Sequence, residues 1–253
     1  MNHDELNGKS PMEEPLKDSS GNMHSRQQAM SQTELASYID HTLLKPEATR
    51  EQFVRLCDEA IQYRFKSVCV NSFWVPFVAG ILKDSGIKIC SVIGFPLGAM
   101  DSASKAFETK SAIASGAEEI DMVINVGALK SQDLATVEKD IRAVRNACQG
   151  GALLKVIIET VFLDEKEKIQ ACEISKLCGA DFVKTSTGFM GGGATVEDIA
   201  LMRKVVGPEM GVKASGGIRN FEQAVSLIQA GATRLGCGSS IAVITGAPVK
   251  GNY

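Results

Sequence analysis

From Leu35 onward the chain alternates between two spacings of apolar residues. Short apolar, β-branched runs recur at 67–70, 88–93, 120–124, 153–158, 182–185, 212–214 and 234–237. Several are apolar on successive positions, as strands buried on both faces of a parallel sheet must be. Residues 38–40 form a weaker eighth candidate. Between the runs lie helical stripes. Leu134, Val137, Ile141 and Val144 follow 3, 4, 3 spacing. Ile199, Met202, Val205 and Val206 form another, opened by Thr195-Val196-Glu197-Asp198 and closed by Gly207-Pro208. Asp164 to Glu167 is a similar start signal.

One junction occurs three times. Gly116-Ala117, Gly179-Ala180 and Gly231-Ala232 each end a helical stripe and lead straight into a strand. Glycine takes the left-handed position after a helix, and the chain then turns into the sheet. Eight strands at about 27 residues per unit match the pitch of a (β/α)8 TIM barrel. The pattern therefore predicts an α/β protein of that fold, as one domain over 33–253. A doubly wound open sheet is the alternative, weakened because no Gly-x-Gly-x-x-Gly follows an early strand. Residues 1–32 are rich in Asn, Gln, Ser and Met, show neither period, and are expected to form a disordered tail.

Composition narrows the function. The 253 residues carry 27 basic and 30 acidic side chains, a formal charge of −3, which disfavours a general nucleic-acid binder. The tail supplies five acidic and three basic residues, so the barrel is nearly neutral. The longest charge-free runs, 67–82 and 235–249, are broken by polar residues, Pro or Gly, so no membrane span is expected. Seven cysteines with no Cys-x-x-Cys pair read as buried thiols in a reducing, cytoplasmic setting. With only His3, His24 and His41, histidine-rich metal sites are nearly excluded, and a Ser-His-Asp triad depends on His41.

In a TIM barrel the chemistry lies at the C-terminal ends of the strands. Lys184 and Lys213 sit late in apolar strands, and Asp121 lies within a third. Burying lysine among apolar residues is costly unless it is paired or neutral. Two ammonium groups on neighbouring strands, about 4.8 Å apart, repel each other, so one is expected to shed its proton. A neutral amine is what a carbonyl-attacking lysine needs. Spacing alone leaves a second reading open, in which Lys213 forms a structural ion pair with Asp121. Lys155 also sits in an apolar strand, but early, which predicts a structural place nearer the barrel base. Ser215-Gly216-Gly217 and Gly238-Ser239-Ser240 follow the seventh and eighth strands, the usual phosphate cradle of this architecture. Gly191-Gly192-Gly193 reads as a flexible loop edge.

The segment Val183-Lys184-Thr185-Ser186-Thr187-Gly188-Phe189 resembles the active-site signature of the deoxyribose-phosphate aldolase family. Around it stand Ile39-Asp40-His41-Thr42, Gly94-Phe95-Pro96, Glu119-Ile120-Asp121-Met122, Lys155-Val156-Ile157-Ile158-Glu159-Thr160 and Lys213-Ala214-Ser215-Gly216-Gly217. The matches run in order from about Leu35 to the last residue. The resemblance implies a class I aldolase with no metal or organic cofactor. Such an enzyme interconverts 2-deoxy-D-ribose 5-phosphate with D-glyceraldehyde 3-phosphate and acetaldehyde. It implies Lys184 as the Schiff-base nucleophile and Lys213 as the group that eases loss of the Lys184 proton and shares in proton transfer. Asp121 would be the acid/base partner and Asp40 a supporting carboxylate. Gly216, Gly217, Gly238 and Ser239 match the phosphate-binding positions. Tyr253 matches a terminal tyrosine that assists proton transfer, against the default of a frayed terminus. Cys69 matches a cysteine some relatives place near the substrate, although a structural role is favoured. Phe189 replaces a basic residue found in some members, which puts a phosphate contact in doubt. The partners implied are phosphosugar and aldehyde substrates and, as in many relatives, a second copy in a homodimer. Two other functions fit the same fold: a non-catalytic phosphate-binding barrel, and a phosphosugar isomerase, for which Glu159 would be the base.

Overall fold

The computed structural model describes residues 30–247. The expected tail therefore lies outside the described residues, except at its end. There Ser31 caps the first helix, α1 (Gln32–Ala36), and Met30 packs on the core. Ordered structure thus begins before the position where apolar patterning becomes legible.

Eight parallel strands follow: β1 (Ile39–Leu43), β2 (Ser67–Asn71), β3 (Lys88–Ile93), β4 (Glu119–Val123), β5 (Leu153–Ile157), β6 (Phe182–Lys184), β7 (Gly211–Ser215) and β8 (Arg234–Cys237). They pair in sequence order, and β1 closes on β8. The fold is a TIM barrel. Helices α2 (Arg50–Tyr63), α3 (Val75–Leu82), α4 (Ser102–Ala114), α5 (Val126–Lys130), α6 (Leu134–Ala147), α7 (Glu165–Leu177), α8 (Val196–Val206), α9 (Phe221–Gln229) and α10 (Ser240–Thr245) connect the strands. None of them is long and apolar enough to cross a membrane, among the described residues.

The local signals act as the sequence analysis expects. Thr195 accepts a hydrogen bond from the Asp198 backbone at the start of α8, and Gly207 ends that helix at φ +79°. Asp164 and Glu167 form a reciprocal capping box on α7. Gly116, Gly179 and Gly231 all adopt positive φ at the three helix-to-strand junctions.

Strand β1 is longer than its apolar signal. It continues through Asp40, His41 and Thr42, which the search for apolar runs undervalues. The polarity comes from the barrel interior. Alternate residues of every strand face the lumen, and alternate strands supply each layer of side chains. The register places Asp40, Cys90, Lys155 and Lys213 on odd-numbered strands in one layer. Cys69, Asp121, Lys184 and Gly236, on even-numbered strands, form the next. Glu119 and Arg234 lie below both. The outward residues of the same strands, such as Ile120, Met122, Val156, Val183, Val212 and Leu235, are fully buried under the helices. The apolar core is therefore a ring between barrel and helices, and the lumen is left free for charge.

Candidate active site

The lumen holds a closed network of ions. Asp121 is its hub. Its Oδ2 accepts hydrogen bonds from Lys184 Nζ at 2.8 Å and Lys213 Nζ at 2.7 Å. Its Oδ1 accepts from Lys155 Nζ at 2.8 Å and from the Cys90 thiol at 3.2 Å. Lys213 also donates to Asp40 Oδ2. Lys155 reaches Glu119 at 2.6 Å, and Arg234 joins Asp40 and Glu119 at 2.7 and 2.9 Å. All of these side chains are buried.

The electrostatics follow from that packing. Burial alone would raise the Asp121 carboxyl, but Lys155, Lys184 and Lys213 override it and hold it well below the usual carboxylate range. Asp40 is lowered in the same way, its burial overcome by Lys213, Lys155 and Arg234. Burial works against the charge on Lys213 too. Asp121 and Asp40 more than reverse this and keep it cationic. Lys155 is likewise held protonated, chiefly by Asp121.

Four basic groups (Lys155, Lys184, Lys213 and Arg234) thus face three carboxylates (Asp40, Glu119 and Asp121). Three of the bases are each held by at least two carboxylates, whereas Lys184 touches only an oxygen it shares with Lys213. Glu159, closer to the barrel mouth, also interacts with Lys184, but burial pushes its carboxyl upward. Both its oxygens are engaged by the Thr187 backbone N–H, at 3.2 and 3.1 Å.

Above the ions opens a cavity of about 310 Å³. Gly216, Gly217, Gly238 and Ser239 line it together, with Thr187, Gly188, Phe189 and Arg219. Its floor includes Gly236 and Ser215. A methyl group on Gly236 would fall 2.5 Å from Ser215 Oγ and 3.1 Å from Lys213 Cε, so no larger residue fits between the cavity wall and Lys213. Gly193 is no loose edge. Its Cα packs on the Gly216 backbone, where a side chain would fall 2.6 Å from the Gly216 carbonyl oxygen, and Ala194 N–H donates to that oxygen at 3.0 Å. The triple-glycine segment thus braces the loop after β7.

Comparison with known proteins shows the family. The family described as DeoC/LacD family aldolase matches residues 34–246. The chain belongs to this aldolase family. A deoxyribose-phosphate aldolase of Brevibacillus brevis is 61% identical over 215 residues, which is 85% of this chain and 97% of that protein. Deoxyribose-phosphate aldolase 1 of Oceanobacillus iheyensis is 59% identical over 220 residues, 87% of this chain and all of the relative. Among solved structures, the tetrameric deoxyribose phosphate aldolase from Aeropyrum pernix superposes with a TM-score of 0.79. It is 36% identical and is covered for 85% of this chain and 91% of its own. An aldolase designated QR15 gives 0.80 at 38% identity, with 83% of this chain and 94% of that chain covered.

Sequence reasoning missed part of this aldolase site. Lys155 is not near the base. The register Asp121↔Lys155 sets it beside the hub, and the layer of Glu119 and Arg234 lies beneath it. The apolar residues that follow Lys155 in β5 say nothing about its height, because neighbouring strands are staggered. Glu119 and Arg234 were visible only as charges in apolar strands, the same signal that picked out Lys184. Among the described residues, Arg219 is the one cation that lines the cavity, where Phe189 brings none. Phe189 instead packs edge-on against Phe95, with ring centroids 5.1 Å apart. His41 belongs to no lumen triad. It faces outward, bonded to Ser240 and Glu59 at 2.8 Å each, and ties β1 to α10 and α2. Tyr253 lies outside the described residues. Cys69, Cys90 and Asp121 could in principle ligate a metal, since their donor atoms lie within 4.8 Å of one another. The cationic Lys155 and Lys213 on the same carboxylate oppose any cation there.

Proposed function

We propose that this chain is a class I aldolase that cleaves 2-deoxy-D-ribose 5-phosphate, reversibly, to D-glyceraldehyde 3-phosphate and acetaldehyde. The reading is carried by one observation: Lys184 and Lys213 share a single carboxylate oxygen of Asp121 beneath a cavity walled by two glycine-serine loops.

The neutral Lys184 amine adds to C1 of the open-chain sugar, and loss of water gives an iminium. A base removes the C3 hydroxyl proton, and the C2–C3 bond breaks. D-glyceraldehyde 3-phosphate leaves, and the electron pair is held as an enamine on Lys184. Protonation at C2 and hydrolysis then release acetaldehyde. Asp121 and the cationic Lys213 are the groups placed to carry these protons, and Asp40 holds Lys213. Gly216, Gly217, Gly238 and Ser239 receive the phosphate, with Arg219 supplying the nearby positive charge. Tyr253 serves the proton step at C2.

The physiological role that fits is deoxyribose phosphate catabolism. All seven cysteines are free thiols, in keeping with a reducing, cytoplasmic setting. A homodimer is part of the proposal. Phe73 and Phe107 are 78% and 75% exposed and give a second copy an apolar surface to cover. An isomerase using Glu159 as base is disfavoured, because the lysines converge on Asp121 and none of them bonds Glu159.

The test is release of acetaldehyde from 2-deoxyribose 5-phosphate by the purified full chain, followed with a coupled dehydrogenase. Turnover that disappears in Lys184→Ala is expected. No release, or full activity in that variant, overturns the reading.

A further inference from the structure

Two thiols in the lumen play no part in the reaction just described. Cys69 on β2 and Cys90 on β3 are register partners. Paired residues of neighbouring strands lie about 4.8 Å apart, inside the Cα separation that a disulfide tolerates. Both side chains point into the lumen, both are fully buried, and the two sulfurs lie within 4.8 Å of each other. Their surroundings are those of reactive thiols, not inert ones. The Cys90 thiol donates to Asp121 Oδ1 at 3.2 Å and receives a contact from Lys155 Nζ at 3.4 Å. The Cys69 thiol is lowered from its ordinary value, first by the neighbouring Cys90 and then by the Lys213 cation, despite burial. Burial drives Cys90 the other way, so it keeps its proton. The remaining five cysteines are buried outside this network. Cys57, Cys172 and Cys237, for example, are pushed up to about 12 by burial. Only the Cys69 and Cys90 pair combines a thiol eased towards its thiolate with a resolving thiol beside it.

We propose that Cys69 and Cys90 form an oxidation site, in which a small hydroperoxide converts the dithiol to a disulfide and reversibly switches the active site off. The Cys69 sulfur attacks the terminal peroxide oxygen. An S–O bond forms, the O–O bond breaks, and the departing alkoxide (hydroxide, for hydrogen peroxide) takes up the proton from Cys69. The Cys90 sulfur then attacks the sulfenic sulfur of Cys69. An S–S bond forms, the S–O bond breaks, and hydroxide leaves as water with the Cys90 proton, which Asp121 is placed to relay. Two thiols lose two electrons and two protons, and the hydroperoxide gains them. Cys69 belongs to the same small apolar cluster as Leu44, which lines the cavity. Inhibition follows from geometry. Closing the S–S bond withdraws Cys90 from Asp121 Oδ1 and Lys155, so the hub that positions Lys184 loses one of its donors.

The experiment treats the full-length protein with a small excess of hydrogen peroxide and digests it with trypsin without reduction. Cleavage after Lys66, Lys83, Lys88 and Lys105 places the two cysteines on separate peptides, 67–83 and 89–105. The expected result is one linked species of these peptides, lighter than their sum by two hydrogens. It should rise in step with at least a tenfold loss of aldolase activity and vanish, with activity restored, on adding dithiothreitol. Cys90→Ala and Cys69→Ala, each compared with its own untreated activity, should lose the dithiothreitol-reversible component. Oxidation to sulfinic or sulfonic acid without the linked peptides overturns the proposal, and so does full activity in the linked protein. The peptide linkage is read without any substrate, so its failure is distinct from failure of the aldolase assignment.

Discussion

Lys184 and Lys213 direct their Nζ atoms at the same oxygen, Oδ2 of Asp121, from 2.8 and 2.7 Å. The two residues are register partners on β6 and β7, so the geometry follows from strand pairing and not from side-chain flexibility. They are not equivalent. Lys213 has a second carboxylate within bonding distance in Asp40, and Lys184 has no second one that close. When the pair carries only one proton, Lys213 keeps it. This asymmetry is how a buried lysine can stay a nucleophile beside an anion.

Replacing Lys213 with Leu removes the cation that competes for Asp121. Lys184 then becomes the counter-ion which that carboxylate retains, and a protonated amine cannot attack a carbonyl. We expect kcat to fall by about 10²- to 10⁴-fold, the usual range for loss of one acid/base group. Part of the loss should return in more alkaline solution. A pH series of steady-state rates checks this, and unchanged kinetics would contradict the asymmetry.

The ion network also fixes how stability depends on pH. Asp40 and Asp121 are lowered from 3.8, so their contribution is present above about pH 4 and is lost as pH falls through their folded values. Lys155 and Lys213 are raised from 10.5, so theirs is present below about pH 10 and is lost as pH rises through theirs. The urea midpoint should therefore be nearly flat from about pH 5 to 9 and fall on either side. Asp40→Asn should cost about 3–5 kcal/mol on the plateau, because it leaves Lys213 and Arg234 short of a partner. It should also make the acid limb shallower. A midpoint already falling between pH 7 and 5 would argue against these ions as the source.

Ser239 is half-buried at the cavity wall, next to Gly238. Ser239→Glu places a carboxylate where the phosphate is proposed to sit. The expected result is a rise of at least about tenfold in KM for 2-deoxyribose 5-phosphate, since like charges a few ångströms apart repel strongly at a partly desolvated site. The slow turnover of unphosphorylated deoxyribose should be little affected. Equal losses on both sugars would remove the phosphate from this wall.

Much of this was legible in the chain. The junction glycines, the capping residues of α7 and α8 and most of the strand runs report local chemistry, and local chemistry is what a sequence records. Lys184, Lys213 and Asp121 stood out because a charge inside an apolar strand is expensive. The same rule applies equally to Lys155, Glu119 and Arg234. Their importance comes from register, which sets Lys155 beside Asp121 and brings Arg234 to Glu119 across the barrel. Register around a closed barrel is a long-range property, and no window of one strand contains it. The polar lumen face of β1 hid that strand for the same reason, since its partners lie on β7 and β8.

Covalent trapping tests the central claim most directly. The full chain is incubated with acetaldehyde and borohydride, and the reduced adduct is located by peptide mass spectrometry. The account predicts a single ethyl-lysine at Lys184. An adduct on Lys213 or Lys155 would reverse the assignment of nucleophile and bystander, and no adduct at all would contradict the Schiff-base mechanism.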